Sequence, residues 1–335
     1  MKRIFLIGDE WSNTGPANAT LSLRKHLPAD TLYLEHSSKA MRAIELAQKM
    51  KKADVAVFSG HSRQNLMGMD IAARHKIPSI YIMHGCVEHE NAINLEADEN
   101  MAKDERRMME RADLILAVSV QFEEWLKNNY SEYRNKISHL INGIDWDSFS
   151  NFAGAGRRDE NMILTVGGGM PRKRIVRICE AIEILKNNGF EKLNLTVAGD
   201  EGADSEKIRS YSFVSDLGHI SQEEMKKLYH RAGLFVQNSI FETFGLAPVE
   251  AVLSGSDILL SRYCGVLSVL GGIEEGDIIE NPDNPEEIAG KIKGMLKADN
   301  HTRIVVETDK ESTSWTRRAE ELLQIAEKLA EEKTS

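Results

Sequence analysis

Two glutamates in the later half of the chain have a spacing that could bind hydroxyl groups. Residues 238–250 read NSIFETFGLAPVE, so that seven residues separate Glu242 from Glu250. One carboxylate could accept hydrogen bonds from sugar hydroxyls and the other from a ribose diol. Two glutamates at this distance are more often solvated surface residues, but the apolar residues around them favour a binding site over an exposed helix.

The same segment predicts a helix that begins close to Leu246. Proline costs about 3 kcal/mol inside a helix but is tolerated in its first turn, so Pro248 fixes the start of a helix over residues 247–253. Phe244 and Gly245 form the tight corner before this helix. The unpaired amide N–H groups of a first helical turn, together with the helix dipole, suit a diphosphate.

A second segment combines glycines with cations. Residues 165–174 read TVGGGMPRKR and follow an expected strand. Arg172 stands where the third glycine of a dinucleotide-binding fingerprint belongs, and the chain has no GxxxxGK[ST] sequence, so nicotinamide and P-loop sites are both disfavoured. Arg172 and Lys173 could instead pair with a diphosphate. A solvated basic helix start is the alternative, but the helix dipole opposes cations there.

Two features of the first half follow expected strands. His84, followed by glycine, comes after the strand Ser79–Met83 and is placed to donate hydrogen bonds into a cleft, although a buried structural histidine is the common alternative. The segment Gly8–Asn18, which contains Gly15 and Pro16, is expected to be a loop before a helix over 19–26. Such a loop could approach a phosphate or a sugar, or could simply connect two elements.

Strand-like and helix-like patterns alternate along both halves, which predicts an α/β protein with two doubly wound parallel sheets. The strands expected in the first half are 3–7, 31–34, 55–59, 79–83, 114–118 and 137–140. Those expected in the second half are 162–166, 193–198, 213–217, 234–236, 257–260 and 277–279.

These patterns divide the chain into two Rossmann-like domains. We expect an N-terminal domain over 1–150, a linker over 151–160, a C-terminal domain over 161–314, and a final helix over 315–335 that packs back toward the first domain. The linker segment is rich in small and basic residues and has no periodicity. Ligands of such sheets bind at the carboxyl ends of the strands, so we expect the two domains to face each other across a ligand cleft.

Composition excludes several classes of protein. The 335 residues carry a formal charge of −10, which disfavours nucleic-acid binding, because that requires clustered cations. Three widely spaced cysteines lack metal-ligand spacing and predict reduced, buried thiols. No apolar run reaches the length of a signal-peptide core or a membrane span, which predicts a cytoplasmic protein. Basic runs in the first half favour a charged helix face over peripheral contact with the inner membrane surface.

Several segments, in order, resemble the retaining glycosyltransferases of family 4, which have the GT-B fold. The segments are ADLILAVS at 112–119, INGID at 141–145, the glycine turn at 167–173, LTVAGD at 195–200, and the EX7E motif from Glu242 to Glu250. The resemblance covers nearly the whole chain. It implies a hexosyltransferase that moves sugar from a UDP- or GDP-sugar donor to a glycan, a lipid-linked glycan or another hydroxyl acceptor, as in polysaccharide biosynthesis.

The resemblance also implies a role for each matching residue. Lys173 and Arg172 would neutralise the diphosphate, Glu250 would bind the ribose, Glu242 would hold the donor sugar, and His84 would contact that sugar from the other domain. The backbone of Phe244, Gly245 and Leu246 would lie against the sugar or phosphates, and Gly15 would form the loop near the diphosphate. The chain departs from the family at two positions: Gly168 replaces the usual arginine, and Pro16 replaces the second of two glycines.

This chemistry needs no metal ion and no cofactor beyond the nucleotide sugar. Fixed cations and a helix N-terminus can stabilise the leaving diphosphate. Asp145 and Asp147 match the letters of a metal-binding DxD motif, but they fall in the INGID segment and predict a turn. A nucleotide-sugar epimerase and a catalytically silent sugar-nucleotide-binding subunit are the two alternatives.

Overall fold

The computed structural model describes residues 2–10, 12, 14–36, 38–96, 98–150 and 158–334. Its backbone contacts divide the chain into two compact units. The first unit comprises Met1–His89, Asp98–Ile144 and Glu311–Ser335, and the second comprises Glu90–Ala97 and Asp145–Lys310. Most of the expected linker, residues 151–157, lies outside the described residues, as do Trp11 and Asn13 of the expected first loop.

Helices and strands alternate along the chain. Up to residue 139 they are β1 (Ile4–Gly8), α1 (Gly15–His26), α2 (Lys39–Met50), β2 (Val55–Ser59), α3 (Arg63–Arg74), β3 (Ser79–Met83), α4 (Val87–Asn94), α5 (Glu99–Arg111), β4 (Leu114–Ala117), α6 (Val120–Asn129) and β5 (Ile137–His139). The later elements are α7 (Trp146–Ser150), β6 (Asp159–Val166), α8 (Ile175–Asn187), β7 (Asn194–Ala198), α9 (Ser205–Arg209), β8 (Val214–Asp216), α10 (Gln222–Arg231), β9 (Ala232–Gln237), α11 (Leu246–Leu253), β10 (Asp257–Ser261), β11 (Ile278–Ile279), α12 (Pro285–Met295), α13 (Asn300–Glu307) and α14 (Trp315–Thr334).

The first unit is built on a parallel sheet in the order β1-β2-β3-β4-β5. The apolar residues of β1, β2 and β3 are buried on both faces, as expected for a sheet with helices on each side. Leu32 forms a single bridge to Phe5, with hydrogen bonds to the edge of β1 opposite β2. After β1, the chain passes first to Leu32 on one side of this strand and then to β2 on the other side. The carboxyl end of β1 is therefore a switch point of the winding.

The expected strand over 31–34 is wrong, since only the bridge at Leu32 forms. The backbone N–H groups of Glu35 and His36 donate instead to the carboxylate of Glu45 on α2, at 3.0 and 3.2 Å. A buried carboxylate accepts these hydrogen bonds in place of a neighbouring strand, so the ladder ends after one residue. Composition alone does not reveal that competition.

The first helix also differs from its prediction. It begins at Gly15 rather than at residue 19, because Thr14 caps the helix by accepting a hydrogen bond from the N–H of Ala17 and Pro16 lies in its first turn. Gly15 and Pro16 are therefore helical residues and not part of a loop. Of the expected loop, the described residues outside β1 and α1 are Asp9, Glu10, Ser12 and Thr14.

The second unit has a parallel sheet in the order β11-β10-β9-β6-β7-β8. This order places the switch point between β6 and β9, which are adjacent in the sheet. The carboxyl ends of these two strands are Val166 and Gln237. The glycine-rich segment and the EX7E segment therefore leave the sheet side by side, at the edge where ligands of such sheets bind.

The prediction of an α/β protein with two parallel sheets is confirmed. Cys86, Cys179 and Cys264 are buried thiols that form no disulfide bond, as expected. Among the described residues, none of the helices combines the length and the apolar character needed to cross a bilayer.

Candidate sugar-nucleotide site

The corner before α11 has the predicted geometry. The helix begins at Leu246, with Pro248 in its first turn. Gly245 precedes it with a φ of +97°, a backbone conformation that favours glycine. Glu242 consequently lies before the helix and Glu250 on it, and the first turn contains no acidic residue that would compete with an anion.

Glu242 is paired with the two cations of the glycine turn. Its Oε2 atom lies 2.6 Å from Nζ of Lys173 and 3.7 Å from Nη1 of Arg172, and all three side chains are largely buried. Burial alone would raise the pKa of Glu242, but the charges of Lys173 and Arg172 hold it below its usual range. Burial lowers the pKa of Lys173, and the charge of Glu242 offsets this only in part. The site therefore holds an ionised carboxylate beside two cations.

The glycine turn is shaped by contact with the end of the neighbouring strand β7. Gly168 has a φ of +54°, and a Cβ atom added there would lie 2.0 Å from the carbonyl oxygen of Asp200. The amide of Gly169 donates to that same oxygen at 3.0 Å. This backbone therefore has no room for a side chain at position 168.

Arg172 is the second cation of the site. It lies with Lys173 in a short 3-10 turn over Pro171–Lys173, rather than in a solvated helix. Its Nη1 atom donates to the carbonyl oxygen of Phe241 at 3.2 Å, and its own carbonyl oxygen accepts from the amide of Ile240 at 2.9 Å. These bonds join the glycine turn to the EX7E segment, so the cations and Glu242 form one unit.

The second unit also supplies partners for Arg172 from the segment Glu90–Ala97. The backbone N–H of Arg172 donates to Oδ1 of Asn94 at 3.2 Å, and its Nε atom lies 3.4 Å from Oε2 of Glu90. The guanidinium thus lies between two carboxylates, Glu90 and Glu242. An anion that binds here would compete with both.

The backbone of the corner is hydrogen-bonded to the segment that follows β10. The carbonyl oxygens of Glu242 and Phe244 accept hydrogen bonds from the amides of Gly265 and Val266, at 3.0 and 2.7 Å. The ring of Phe244 is only 2% exposed. With these oxygens and the ring occupied, the segment Phe244-Gly245-Leu246 can offer amide N–H groups at the start of α11 to a ligand.

Glu250 has a different environment from Glu242. Burial raises its pKa, and a hydrogen bond from the hydroxyl of Tyr229 and the charge of Lys226, both on α10, offset this only in part. Tyr229 is itself 2% exposed and packs edge-on against Phe235. The helix α10 therefore positions Glu250.

His84 belongs to a hydrogen-bonded chain in the first unit. Its Nε2 atom lies 2.8 Å from the hydroxyl of Ser59, which lies 2.7 Å from that of Thr20. Thr20 donates its proton to the carbonyl oxygen of Pro16 at 2.9 Å, so Ser59 donates to Thr20 and Nε2 of His84 donates to Ser59. Burial and the charge of His61 lower the pKa of His84 to about 4, which leaves the ring neutral at pH 7.

The INGID segment is a structural junction. A Cβ atom at Gly143 would lie 2.6 Å from the ring of Trp315, the first residue of α14, so this position requires glycine. The carboxylate of Asp145 accepts from the N–H of Ser148 at 3.1 Å, which is turn chemistry, as expected. Asp145 therefore lies directly before α7 and accepts a hydrogen bond from its first turn.

The structure thus places the predicted residues in two groups. Arg172, Lys173, Glu242 and Glu250, with the corner at 244–246 and Gly168, lie in the second unit, and His84, Gly15 and Pro16 lie in the first. A Cβ atom added at Gly15 would have no described atom within 4 Å.

Sequence reasoning missed four residues around these groups: Gln237, Ser239, Tyr229 and Ser59. Ser59 and Gln237 end their strands at the carboxyl edge, and Ser239 lies two residues beyond it, a position that could have marked them. Tyr229 lies on a helix whose packing against α11 has no local signal.

Almost the whole chain matches models of glycosyltransferase families. Residues 11–148 match the model of Glycosyltransferase Family 4, and residues 149–312 match that of Glycosyl transferases group 1. An uncharacterized glycosyltransferase of Methanocaldococcus jannaschii is 26% identical over 231 residues, which are 63% of this chain and 59% of that protein. The chain spans about half to two thirds of the length of the first curated relatives that it matches, at 59%, 49% and 66%.

Solved structures show the same fold. The Anabaena HepE protein in complex with UDP-glucose has a TM-score of 0.68 at 14% identity, with 99% of this chain and 100% of that chain covered. Sucrose-phosphate synthase of Thermosynechococcus elongatus has a TM-score of 0.68 at 17% identity, with 98% and 99% covered. The chain therefore belongs to the glycosyltransferases of the family 4 type and has their GT-B fold.

Proposed function

We propose that the chain transfers a hexose from a UDP- or GDP-sugar to a hydroxyl group of a glycan, glycolipid or other acceptor, with retention of anomeric configuration and without a metal ion. The observation that carries this proposal is the group formed by Lys173, Arg172 and Glu242. It lies at the switch point of the second sheet, beside the N-terminus of α11.

The cations and the helix N-terminus provide for the leaving group. Cleavage of the anomeric C–O bond builds negative charge on the departing nucleoside diphosphate, and fixed positive groups in a buried site stabilise that charge. Lys173 and Arg172 supply two such groups at the end of β6. The amide N–H groups at the start of α11 supply a third.

The carboxylates provide for the sugars. Glu242 is ionised and can only accept hydrogen bonds, which suits hydroxyls of the donor sugar. Glu250, held by α10, would accept from the ribose diol. The HepE structures contain UDP and UDP-glucose, which supports a nucleotide-sugar donor for this chain.

The remaining steps follow from the family resemblance. The leaving phosphate would take the proton of the incoming acceptor hydroxyl on the same face of the sugar, which gives retention. The contribution of His84 to donor binding is a prediction on the same basis. A neutral ring suits a hydrogen bond to a sugar and not a charge interaction.

A panel of nucleotide sugars tests the proposal. Purified protein is incubated with UDP- and GDP-sugars, with and without a cell extract as acceptor source and with EDTA present throughout. Nucleotide release that depends on acceptor, with an α-linked product from an α-linked donor, supports it. Conversion of the sugar without acceptor would indicate an epimerase, and binding without turnover would indicate a silent subunit; either result contradicts the proposal.

A further inference from the structure

The carboxylate of Glu242 has an uneven set of partners. Every hydrogen bond or ion pair that it makes with the described residues reaches the same atom, Oε2. The distances to this atom are 2.6 Å from Nζ of Lys173, 3.2 Å from Nε2 of Gln237, 3.4 Å from Oγ of Ser239 and 3.7 Å from Nη1 of Arg172. Oε1 accepts no hydrogen bond from the described residues. It is also not one of the side-chain atoms of these residues that are both buried and without a partner.

The two neutral donors are themselves fixed. Gln237 is the last residue of β9 and is 2% exposed, and its amide also donates to Oγ of Ser239 at 2.7 Å. Ser239 is 0% exposed, and its carbonyl oxygen accepts from the hydroxyl of Ser261 at the end of β10. An amide has two protons and a hydroxyl has one, so this arrangement uses every donor: one amide proton goes to Ser239, the other to Oε2, and the serine proton to Oε2.

The cations cannot hold Glu242 throughout the reaction. If Lys173 and Arg172 pair with a diphosphate, the hydrogen bond from Lys173 to Oε2 and the ion pair of Arg172 with Oε2 weaken or break. A buried carboxylate oxygen that loses its donors is costly. Gln237 and Ser239 have no charge for the diphosphate to attract, so their bonds to Oε2 persist.

We propose that Gln237 and Ser239 are positioning residues that hold Oε2 of Glu242 and direct Oε1 to accept a hydrogen bond from a hydroxyl of the donor sugar. The inference rests on the proposed function and refines it. It assigns the sugar contact to one atom, and it separates recognition of the sugar from recognition of the diphosphate. The donor must carry a free hydroxyl at the position that faces Oε1.

Calorimetry tests the inference. Wild type, Gln237→Leu and Ser239→Ala are each titrated with UDP, UDP-glucose, GDP and GDP-mannose. In the wild type, the sugar nucleotide should bind more tightly than its nucleotide. In Gln237→Leu, the affinity for the nucleotide should stay within about twofold. The gain from the sugar, which is the ratio of the affinity for the sugar nucleotide to that for its nucleotide, should fall by about 10-fold to 100-fold, because hydrogen bonding to a charged group is lost. Unchanged nucleotide affinity shows that the second unit is folded.

Ser256→Ala is the matched control. Ser256 is also a fully buried serine of the second unit, but it precedes β10 at the opposite edge of the sheet, where its hydroxyl donates to the backbone of Tyr229 and Ala232. This variant should lose stability and keep the gain from the sugar. If Gln237→Leu does not fold, Ser239→Ala carries the test.

The outcomes separate the inference from the function on which it rests. If neither nucleotide binds the wild type, the proposed function fails. If a nucleotide binds and Gln237→Leu or Ser239→Ala keeps the full gain from the sugar, the function stands and the positioning role is wrong. The positioning role is also wrong if neither sugar adds affinity in the wild type, since Oε1 would then accept no hydrogen bond from a sugar hydroxyl.

Discussion

Adding a side chain at position 168 should destabilise the second unit, although the resemblance to family 4 implies an arginine there. At a φ of +54°, an L-residue costs about 1–2 kcal/mol. The added Cβ would also lie 2.0 Å from the carbonyl oxygen of Asp200, so the glycine turn and the end of β7 would have to separate. Three backbone hydrogen bonds join them, and separation at position 168 would break the two nearest to it, from Gly168 to Ala198 at 3.1 Å and from Gly169 to Asp200 at 3.0 Å.

The expected size of the effect follows from these terms. Each broken hydrogen bond adds about 1 kcal/mol, so Gly168→Ala should lower the free energy of unfolding by about 3–4 kcal/mol. Gly189→Ala is the matched control, because Gly189 is also in the second unit and has a φ of +94°, but no atom of the described residues lies within 4 Å of its added Cβ. It should cost only the conformational term, about 1–2 kcal/mol.

Urea unfolding followed by circular dichroism measures both variants, and the comparison uses the transition of the same unit. Gly168→Arg should be at least as unstable as Gly168→Ala and should bind UDP more weakly than wild type. Equal losses for Gly168→Ala and Gly189→Ala would refute the close contact. Tighter UDP binding by Gly168→Arg would contradict the exclusion of a side chain at this position.

Three further predictions concern ionisation and recognition. Because burial lowers the pKa of Lys173, UDP affinity should fall as the pH rises toward its ordinary value of 10.5, and Lys173→Arg should remove most of that fall; an identical profile in both proteins, measured by calorimetry, would contradict this. His84 has a pKa of about 4 when folded and 6.5 when unfolded, so the unfolded state binds more protons between these values and stability falls as the pH falls through them. The free energy of unfolding, measured in urea, should therefore drop less between pH 7 and pH 4.5 in His84→Gln than in the wild type, by about 2 kcal/mol. Glu250→Gln should reduce the preference for UDP over 2′,3′-dideoxy-UDP by about 10-fold, and a retained preference would place the ribose elsewhere.

The sequence predicted most of the fold because buried parallel strands leave strong local patterns. The apolar runs of β2 and β3 have their predicted bounds, and Pro248 correctly marked the start of α11. The failures are places where a side chain took over backbone hydrogen bonds. Glu45 ended the strand at Leu32, and Thr14 capped a helix four residues early.

The sequence predicted the charged members of the candidate site and its glycine and corner residues, but not its uncharged hydrogen-bonding side chains. Glu242 stood out by its spacing from Glu250 across a helix start, and Lys173 by its place beside a glycine turn. Gln237 and Ser239 have no such signal, since a polar residue near the end of a strand is common in any sheet. Only the shared contact with one oxygen of Glu242 distinguishes them, and that contact depends on the packing of β6, β9 and β10.

The most direct test of the account is calorimetric titration of UDP and GDP into wild type, Lys173→Ala and Glu250→Ala, all in the presence of EDTA. The account predicts that at least one nucleotide binds the wild type with chelator present and that each substitution weakens that binding at least 10-fold, the loss of one hydrogen bond to a charged group. Binding that requires a divalent metal, or that is unchanged in both variants, would contradict a diphosphate held by the lysine and a ribose held by the glutamate.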